Sequence, residues 1–180
     1  MAAAYPGLDI ELATEVRSVS LERHEADIAV RLGRPDDGDV IAKPVAKIAY
    51  GFYATAEVCA RLAAGGEPPF ITFDEAGAHL PEAVWLSRHF PRARRPFRAS
   101  NQFAQAIAAR SGVGVALLPH YIGRAEPSLR RCDLEPVLSP REAFVVRRRQ
   151  NARTMPINLV VDALTRAFAE DRALFEDEPD

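Results

Sequence analysis

Residues 96–119 constrain the fold most, because they read as a short strand, a helix and a second strand in immediate succession. Ser100 or Asn101 can be the N-cap of this helix, since a side-chain oxygen there accepts a hydrogen bond from the first helical turn. Gly112 supplies the left-handed residue that ends it. The nearly continuous apolar run 113–118 is typical of a strand covered on both faces. The segment therefore predicts an α/β protein.

The helix of this segment has a candidate core face and a candidate binding end. Phe103, Ala106 and Ile107 are three and four residues apart, so they form one apolar stripe, which the stem of Arg110 can extend. A helix that starts just beyond a strand's carboxyl end points free N–H groups and partial positive charge at the space above the sheet, where a carboxylate or phosphate can bind. The alternative is that Ser100 and Asn101 only cap the helix.

Composition excludes several classes of protein. With 180 residues and 48% hydrophobic content, the chain can fill one core or two small lobes. A net charge of −2 argues against a dedicated nucleic-acid-binding domain. No apolar run is long enough to span a membrane, and no secretion signal is recognisable. Cys59 and Cys132 lack metal-ligand spacing, so they are predicted to be reduced thiols in a cytoplasmic protein rather than a disulfide or a zinc site.

The rest of the chain alternates between strand and helix patterns. Alternation of this kind predicts an α/β sandwich with mostly parallel sheets. Pro44 is expected at a strand edge or bend, because proline cannot donate to a sheet ladder. Strands are predicted at 8–12, 26–32, 40–54, 70–73, 134–138 and 143–147, and further helices from Ser18 or Ser20 to Glu25, after Thr55, from Pro81 and from Pro156.

Taken together, these segments resemble the effector-binding domain of LysR-type transcriptional regulators, a family with the type 2 periplasmic-binding-protein fold. The resemblance covers almost all of the chain in the family's order and spacing. It rests on residues 5–12, 26–33, 50–55, 99–101 and 112–119 and on the closing amphipathic helix.

The resemblance implies two α/β lobes joined by two crossover strands. Lobe I would comprise residues 1–51 and 139–180, and lobe II residues 52–138, with hinges near Gly51-Phe52 and Ser139-Pro140. A small metabolite, often anionic or aromatic, would bind in the cleft between the lobes. The residues carried over to that cleft are Ser100, Asn101 and Gln102 at the helix start, Thr55 at the start of the first helix of lobe II, and Arg31 and Gly33 after a lobe I strand.

The chain departs from the family pattern at its amino end. The family's winged helix-turn-helix and the first strand of its effector domain would precede Tyr5, so the fold is expected to be amino-terminally truncated, with an incomplete lobe I. DNA contact would require that absent winged helix-turn-helix, and the full-length protein is expected to be a homodimer or tetramer. We expect the 180-residue chain to be less stable than one extended by a strand and a helix.

No constellation in the sequence supports catalysis. The group Asp74, Glu75 and His79 is interpreted as a solvated polar turn, and the basic run Arg147-Arg148-Arg149 as the solvated end of a strand. The predicted function is therefore a ligand-sensing regulatory domain of a LysR-type transcriptional regulator, non-enzymatic and cytoplasmic, without cofactor, metal or membrane contact. The alternatives are a free-standing small-molecule binding module or transport-type binding protein, and an α/β enzyme.

Overall fold

The computed structural model describes residues 5–14, 21, 26–35 and 38–176. The chain divides into two compact units. Unit 1 comprises Met1–Ile48 and Arg141–Ala173, and unit 2 comprises Ala49–Pro140 and Leu174–Asp180. The predicted lobe boundaries, after residues 51 and 138, lie within three residues of the unit boundaries after Ile48 and Pro140. The end of the chain is predicted to belong to lobe I, but from Leu174 onward it is grouped with unit 2. The helix predicted from Ser18 or Ser20 to Glu25 lies outside the described residues, apart from Leu21.

The helices and strands alternate along the described chain. The strands are β1 (Ile28–Leu32), β2 (Val40–Ile48), β3 (Tyr50–Ala54), β4 (Phe70–Phe73), β5 (Phe97–Ala99), β6 (Val115–Pro119), β7 (Arg130–Cys132) and β8 (Arg141–Arg148). The helices are α1 (Ala56–Ala63), α2 (Pro81–His89), α3 (Gln102–Arg110), α4 (His120–Gly123), α5 (Met155–Glu170) and α6 (Arg172–Phe175), with a 3-10 helix at Arg149–Arg153.

Unit 1 contains an antiparallel sheet in the order β1-β8-β2. Phe144 and Val146 of β8 pack with Leu21 to form one part of its core. The register of β2 against β8 shifts between Pro44 and Ala46, which confirms the irregularity predicted for this edge strand.

Arg148 departs from the interpretation of the basic run as a solvated strand end. Its side chain is buried and donates hydrogen bonds to the carbonyl oxygens of Leu21 and Ala26 and to the carboxylate of Asp27. Arg149, in contrast, forms an exposed ion pair with Asp39. The prediction is wrong for Arg148 because its acceptors lie more than 100 residues earlier in the chain.

Unit 2 is built on a five-stranded sheet in the order β5-β4-β6-β3-β7. Strands β5, β4 and β6 are parallel to one another, whereas β3 pairs antiparallel with both β6 and β7. Together with the antiparallel sheet of unit 1, this makes the prediction of mostly parallel sheets wrong. The sequence shows strand order only along the chain, and the long extended stretch 40–54 is divided here between two sheets.

Both faces of the unit 2 sheet are covered. On one face, Tyr53, Ile71 and Leu118 pack against buried alanines of α3 and against Ile122 of α4. On the other face, neighbouring residues of the same strands point the opposite way. This second face holds an aromatic cluster formed by Phe52, Phe70, Trp85 and Phe90, with ring centroids 4.7 to 6.4 Å apart.

A disulfide joins Cys59 of α1 to Cys132 of β7, with their Cα atoms 5.2 Å apart. The prediction of two reduced thiols is therefore wrong for this structure. The two residues are 73 positions apart in sequence, and they meet because β7 pairs with β3, the strand that leads directly into α1. Sequence spacing carries no information about that juxtaposition.

Two predicted strands are not strands in the structure. Residues 8–12 are irregular, with Leu12 85% exposed, because no other described segment pairs with them. Residues 134–138 are also irregular; Pro136 cannot donate to a ladder, and the edge position beside β3 is taken by the charged segment Arg130–Cys132. No helix in the described part of the chain is long and apolar enough to cross a membrane.

Candidate functional site

The start of α3 lies at the carboxyl ends of β4 and β5. Phe73 of β4 is paired with Ala99 of β5, so both parallel strands end at the same edge, here called the carboxyl edge of unit 2. Asn101 follows as the N-cap of α3, and its side-chain oxygen accepts a hydrogen bond of 2.9 Å from the Ala104 N–H. Ser100 is exposed beside it. The structure thus confirms the predicted cap and identifies it as Asn101.

The side chains of α3 do not face the way the periodicity predicts. Phe103 is 65% exposed and Ile107 59% exposed, whereas Gln105, Ala106 and Ala109 are buried. The small residues let the helix lie close to the sheet, so the core face is formed by alanines and one glutamine instead of the larger apolar side chains. The predicted apolar stripe is therefore wrong for Phe103 and Ile107, whereas Ala106 lies in the core as predicted.

Thr55 lies at the opposite edge of the same sheet. Because β3 runs antiparallel to β6, its end at Ala54 lies level with the beginning of β6 and of β4. The strand positions from 69 to 74, which separate Thr55 from Ser100, span roughly 16 Å at about 3.3 Å per residue. Thr55 caps α1, the helix predicted to begin after it, but the structure places Thr55 and Ser100 at opposite edges of the sheet rather than together.

Thr55 instead lines an open groove of about 420 Å³ together with Arg61 and Arg110. The pKa of the neighbouring Glu57 lies below its usual value, first because of its hydrogen bond with the backbone and then because of the Thr55 hydroxyl. Arg110 is paired with Glu126 at 3.2 Å. The groove is therefore of mixed charge.

Two glutamines in the first turns of α3 carry amide groups without an evident partner. Gln102 and Gln105 lie three residues apart, and Gln105 is 2% exposed. The amide nitrogen of each is buried and has no hydrogen-bond partner among the described residues. A buried unpaired amide costs about 1–3 kcal/mol, so each of these groups is available to an acceptor. The sequence predicts Gln102 as a site residue but misses Gln105, because a polar residue in a helix is ordinarily expected on its solvated face.

A buried acid lies near the carboxyl edge and has no signal in the sequence. Glu82, in the first turn of α2, is 6% exposed and accepts a hydrogen bond of 2.8 Å from the Tyr50 hydroxyl at the start of β3. The pKa of Tyr121 is raised, first because the phenol is partly buried and then because Glu82 is negatively charged. These three residues come from three separate elements, so only the tertiary structure reveals their association.

His120 directly follows β6 at the same edge. It is fully buried, and its Nδ1 atom lies 2.7 Å from the Tyr53 hydroxyl. Gly51 is required beside it, because a Cβ atom at this position would lie 2.8 Å from the imidazole Cε1. Tyr53 and His120 are 67 residues apart, so the sequence shows only an isolated histidine.

Arg31 and Gly33 occupy the end of β1 in unit 1. Arg31 is paired with Phe144 in the ladder, and Gly33 makes the turn after the strand with a φ angle of 92°. The Gly33 N–H donates to the Glu142 carbonyl at 2.7 Å, and Arg141 donates to the Leu32 carbonyl. The predicted role of Arg31 and Gly33 in binding an effector stays a prediction.

The acidic turn at Asp74 has a structural role. Its carboxylate accepts a hydrogen bond of 3.1 Å from the Gly77 N–H, which closes the turn after β4. Within the described ranges, no cluster of three or more histidine, cysteine or acidic side chains is suited to hold a metal ion.

Comparison with known proteins identifies relatives of the chain. The Mau operon transcriptional activator of Paracoccus denitrificans is 28% identical over 119 residues, which are 66% of this chain and 40% of that protein. The chain thus matches well under half of the length of this relative.

Solved structures show the same fold. The effector domain of the transcriptional regulator AmpR of Pseudomonas aeruginosa superposes with a TM-score of 0.71 at 21% identity, over 96% of this chain and 86% of that one. The regulatory domain of CrgA, a LysR-type transcriptional regulator from Neisseria meningitidis, gives 0.73 at 20% identity, over 93% and 87%. The Synechocystis PCC6803 CcmR regulatory domain in complex with 2-PG gives 0.72 at 16% identity, over 94% and 88%.

The family model that describes the LysR substrate binding domain matches residues 1–169. This match covers nearly the whole chain and includes β1 to β8 and the start of α3. The chain therefore belongs to the LysR substrate-binding domain family, the effector-binding regulatory domains of LysR-type transcriptional regulators.

Proposed function

We propose that this chain binds a small anionic metabolite at the start of α3, and that Ser100, Asn101 and Gln102 contact it. The observation that carries the proposal is the position of the Asn101 cap at the carboxyl edge of unit 2. The Asn101 side-chain oxygen accepts from the Ala104 N–H. Helix geometry leaves the N–H groups of Gln102 and Phe103 without acceptors inside the helix. A carboxylate or phosphate oxygen accepts from such groups and is favoured by the helix dipole.

The buried glutamine amides support the same proposal. Gln102 lies in the first turn and Gln105 one turn later, so an acceptor-rich ligand at the helix start can complete the hydrogen bonding of Gln102 first. The complex of the CcmR regulatory domain with 2-PG shows that a domain of this fold takes a small ligand.

We also propose that the protein containing this chain regulates transcription in the cytoplasm, where it binds its ligand without converting it. The relatives are described as transcriptional regulators, and a regulator acts where the DNA is. Because the chain matches 40% of the length of the Mau operon activator, contact with DNA is assigned to a part of the protein beyond these residues.

Self-association belongs to the same proposal. Edge strand β5 and the adjacent helix α3 expose Phe97, Phe103 and Ile107, which are 42%, 65% and 59% exposed. Three large apolar side chains on adjacent elements, one of which is the edge strand of the sheet in the described part of the chain, are typical of a protein interface. We assign this surface, called the β5/α3 face, to a second copy of the chain.

Calorimetric titration of the full chain with small carboxylates and organic phosphates, 2-PG among them, tests the binding site. We expect Ser100→Ala to weaken binding of the best ligand by roughly tenfold or more, because a hydrogen bond to a charged group is lost. Thr55→Ala is the matched control: it removes the hydroxyl that caps the other helix start, at the opposite edge, and is expected to leave the affinity unchanged. Equal losses in both variants, or none in Ser100→Ala, would contradict the proposed site.

A further inference from the structure

The disulfide between Cys59 and Cys132 has no part in the proposed effector site. These are the only two cysteines of the sequence, so the pair has no other thiol in the chain with which to exchange. Cys59 belongs to α1, which begins at Thr55, and Cys132 ends β7, the last strand of unit 2 before the irregular segment 133–140. The bond therefore ties a helix to the edge of a sheet.

Apart from the disulfide, one neighbouring strand of the described sheet anchors β7. Strand β7 is three residues long and, among the described strands, pairs only with β3, through Phe52↔Cys132, Tyr53↔Arg131 and Ala54↔Arg130. Arg130 and Arg131 are exposed, so most of the apolar burial on this strand comes from Cys132. A short, charged edge strand of this kind opens locally at low cost. The disulfide is thus a covalent restraint on a short edge strand.

The two cysteines differ in their exposure. Cys59 is half-buried, whereas Cys132 is 5% exposed. An attacking thiolate therefore reaches Cys59 first. The reduced form is also accommodated, since the Cys59 sulfur lies 3.7 Å from the Arg130 carbonyl oxygen, to which a thiol can donate.

We propose that Cys59 and Cys132 form a reversible thiol-modification site, and that oxidation to the disulfide holds β7 against α1. A glutathione-type thiolate attacks the Cys59 sulfur, which breaks the bond between the two cysteines and releases Cys132 as a thiolate that takes up a proton. A second thiolate attacks the external sulfur of the mixed disulfide and releases Cys59, which is protonated in turn. The protein gains two electrons and two protons, and two external thiols become one disulfide.

Reduction frees β7 and loosens the segment 133–140 that follows it, while the cores of unit 2 stay packed by contacts that do not involve either cysteine. In compartments that keep thiols reduced, disulfides that do form are usually transient and redox-sensing. The proposed redox change does not require a bound effector. A negative result for the disulfide therefore leaves the proposed binding site standing, and a negative result for the binding site leaves the disulfide proposal standing.

Equilibration of the full chain with mixtures of reduced and oxidised glutathione tests reversibility. After acid quenching and alkylation, mass spectrometry is expected to show one reversible transition between a form with no alkyl group and a form with two. Fluorescence of Trp85, the single tryptophan, is expected to report a folded chain in both forms. Two free thiols at every glutathione ratio, or unfolding of the chain on reduction, would overturn the proposal.

The single-cysteine variants form a matched pair that tests which sulfur is attacked. With oxidised glutathione, the folded Cys132→Ser chain, which keeps Cys59, is expected to form a glutathione adduct, and the folded Cys59→Ser chain is not. Equal adduct formation would overturn the assignment of Cys59 as the attacked sulfur.

Hydrogen exchange tests the structural consequence. We expect amides of residues 56–63 and 130–132 to exchange at least about tenfold faster in the reduced chain, while those of α3 are unchanged. The double Cys→Ser variant should match the reduced chain at every glutathione ratio. Identical exchange in the oxidised and reduced chains would mean that the bond restrains nothing and would refute the proposal.

Discussion

Asn101 caps α3 through its side-chain oxygen, and a carboxylate oxygen at the same position can accept the same hydrogen bond. We therefore expect Asn101→Asp to keep the stability of the chain within about 0.5 kcal/mol, and Asn101→Ala to lower it by about 1 kcal/mol. Both substitutions should weaken binding of an anionic ligand, the aspartate by repulsion. Denaturant unfolding and calorimetry separate the two effects. Tight anion binding by the aspartate variant would show that Asn101 does not contact the ligand.

Gln105 places an amide in the buried face of α3 at a cost in folding free energy. Gln105→Met has nearly the same volume and no polar group, so we expect it to raise the free energy of unfolding by about 1 kcal/mol. Chemical denaturation measures this change. Gln102→Met, at a half-buried position, is the control and should have a smaller effect. A destabilised Gln105→Met variant would show that the amide is satisfied in solution.

Tyr121 makes the stability of the chain sensitive to alkaline pH. Its pKa is raised above the ordinary value of 10.0, first by burial of the phenol and then by the charge of Glu82. The unfolded tyrosine therefore ionises before the folded one, so this contribution to stability is full below pH 10 and is lost as the pH rises through the folded pKa. We expect thermal stability above pH 10 to fall more steeply in the wild type than in Tyr121→Phe. Parallel curves would contradict this.

At the scale of elements, Arg148 joins the end of β8 to the backbone carbonyl groups of Leu21 and Ala26. Arg148→Met removes all of its donors while keeping the apolar stem, and buried carbonyl oxygens lose their partners. We expect it to destabilise the chain by about 3 kcal/mol in denaturant unfolding. Arg149→Met is the control, because its ion pair with Asp39 is exposed and should be worth less than about 1 kcal/mol. Equal effects would show that Arg148 adds no more than its exposed neighbour.

The sequence predicts where helix α3 begins and ends, but not which of its faces is buried. Its limits follow from signals within a few residues, since Asn101 caps the first turn and Gly112 adopts the left-handed conformation after the last, with a φ angle of 78°. The rotation of the helix about its axis depends instead on the surface of the sheet that it covers. Alanines fit between α3 and β4 or β6, and this turns Phe103 and Ile107 outward.

At the scale of the whole molecule, the β5/α3 face predicts self-association. We expect the double variant Phe103→Lys and Ile107→Lys to shift sedimentation toward the monomer, because two charges replace exposed apolar side chains of this face. Val84→Lys, at a similarly exposed apolar position on α2, is the control. An unchanged distribution in the double variant, or the same shift in the control, would place the contact elsewhere.

The sequence by itself determined the alternation of strands and helices, the helix starts at Thr55 and at Ser100 or Asn101, the buried strand β6 and membership of the LysR family. These features depend on periodicity and on side-chain to backbone bonds within one turn, which are local. Strand order, the edge at which Thr55 lies, the burial of Arg148 and the meeting of Cys59 with Cys132 were decided only by the tertiary structure. Each of them depends on partners at least tens of residues away, whose positions are set by how sheets close and pack.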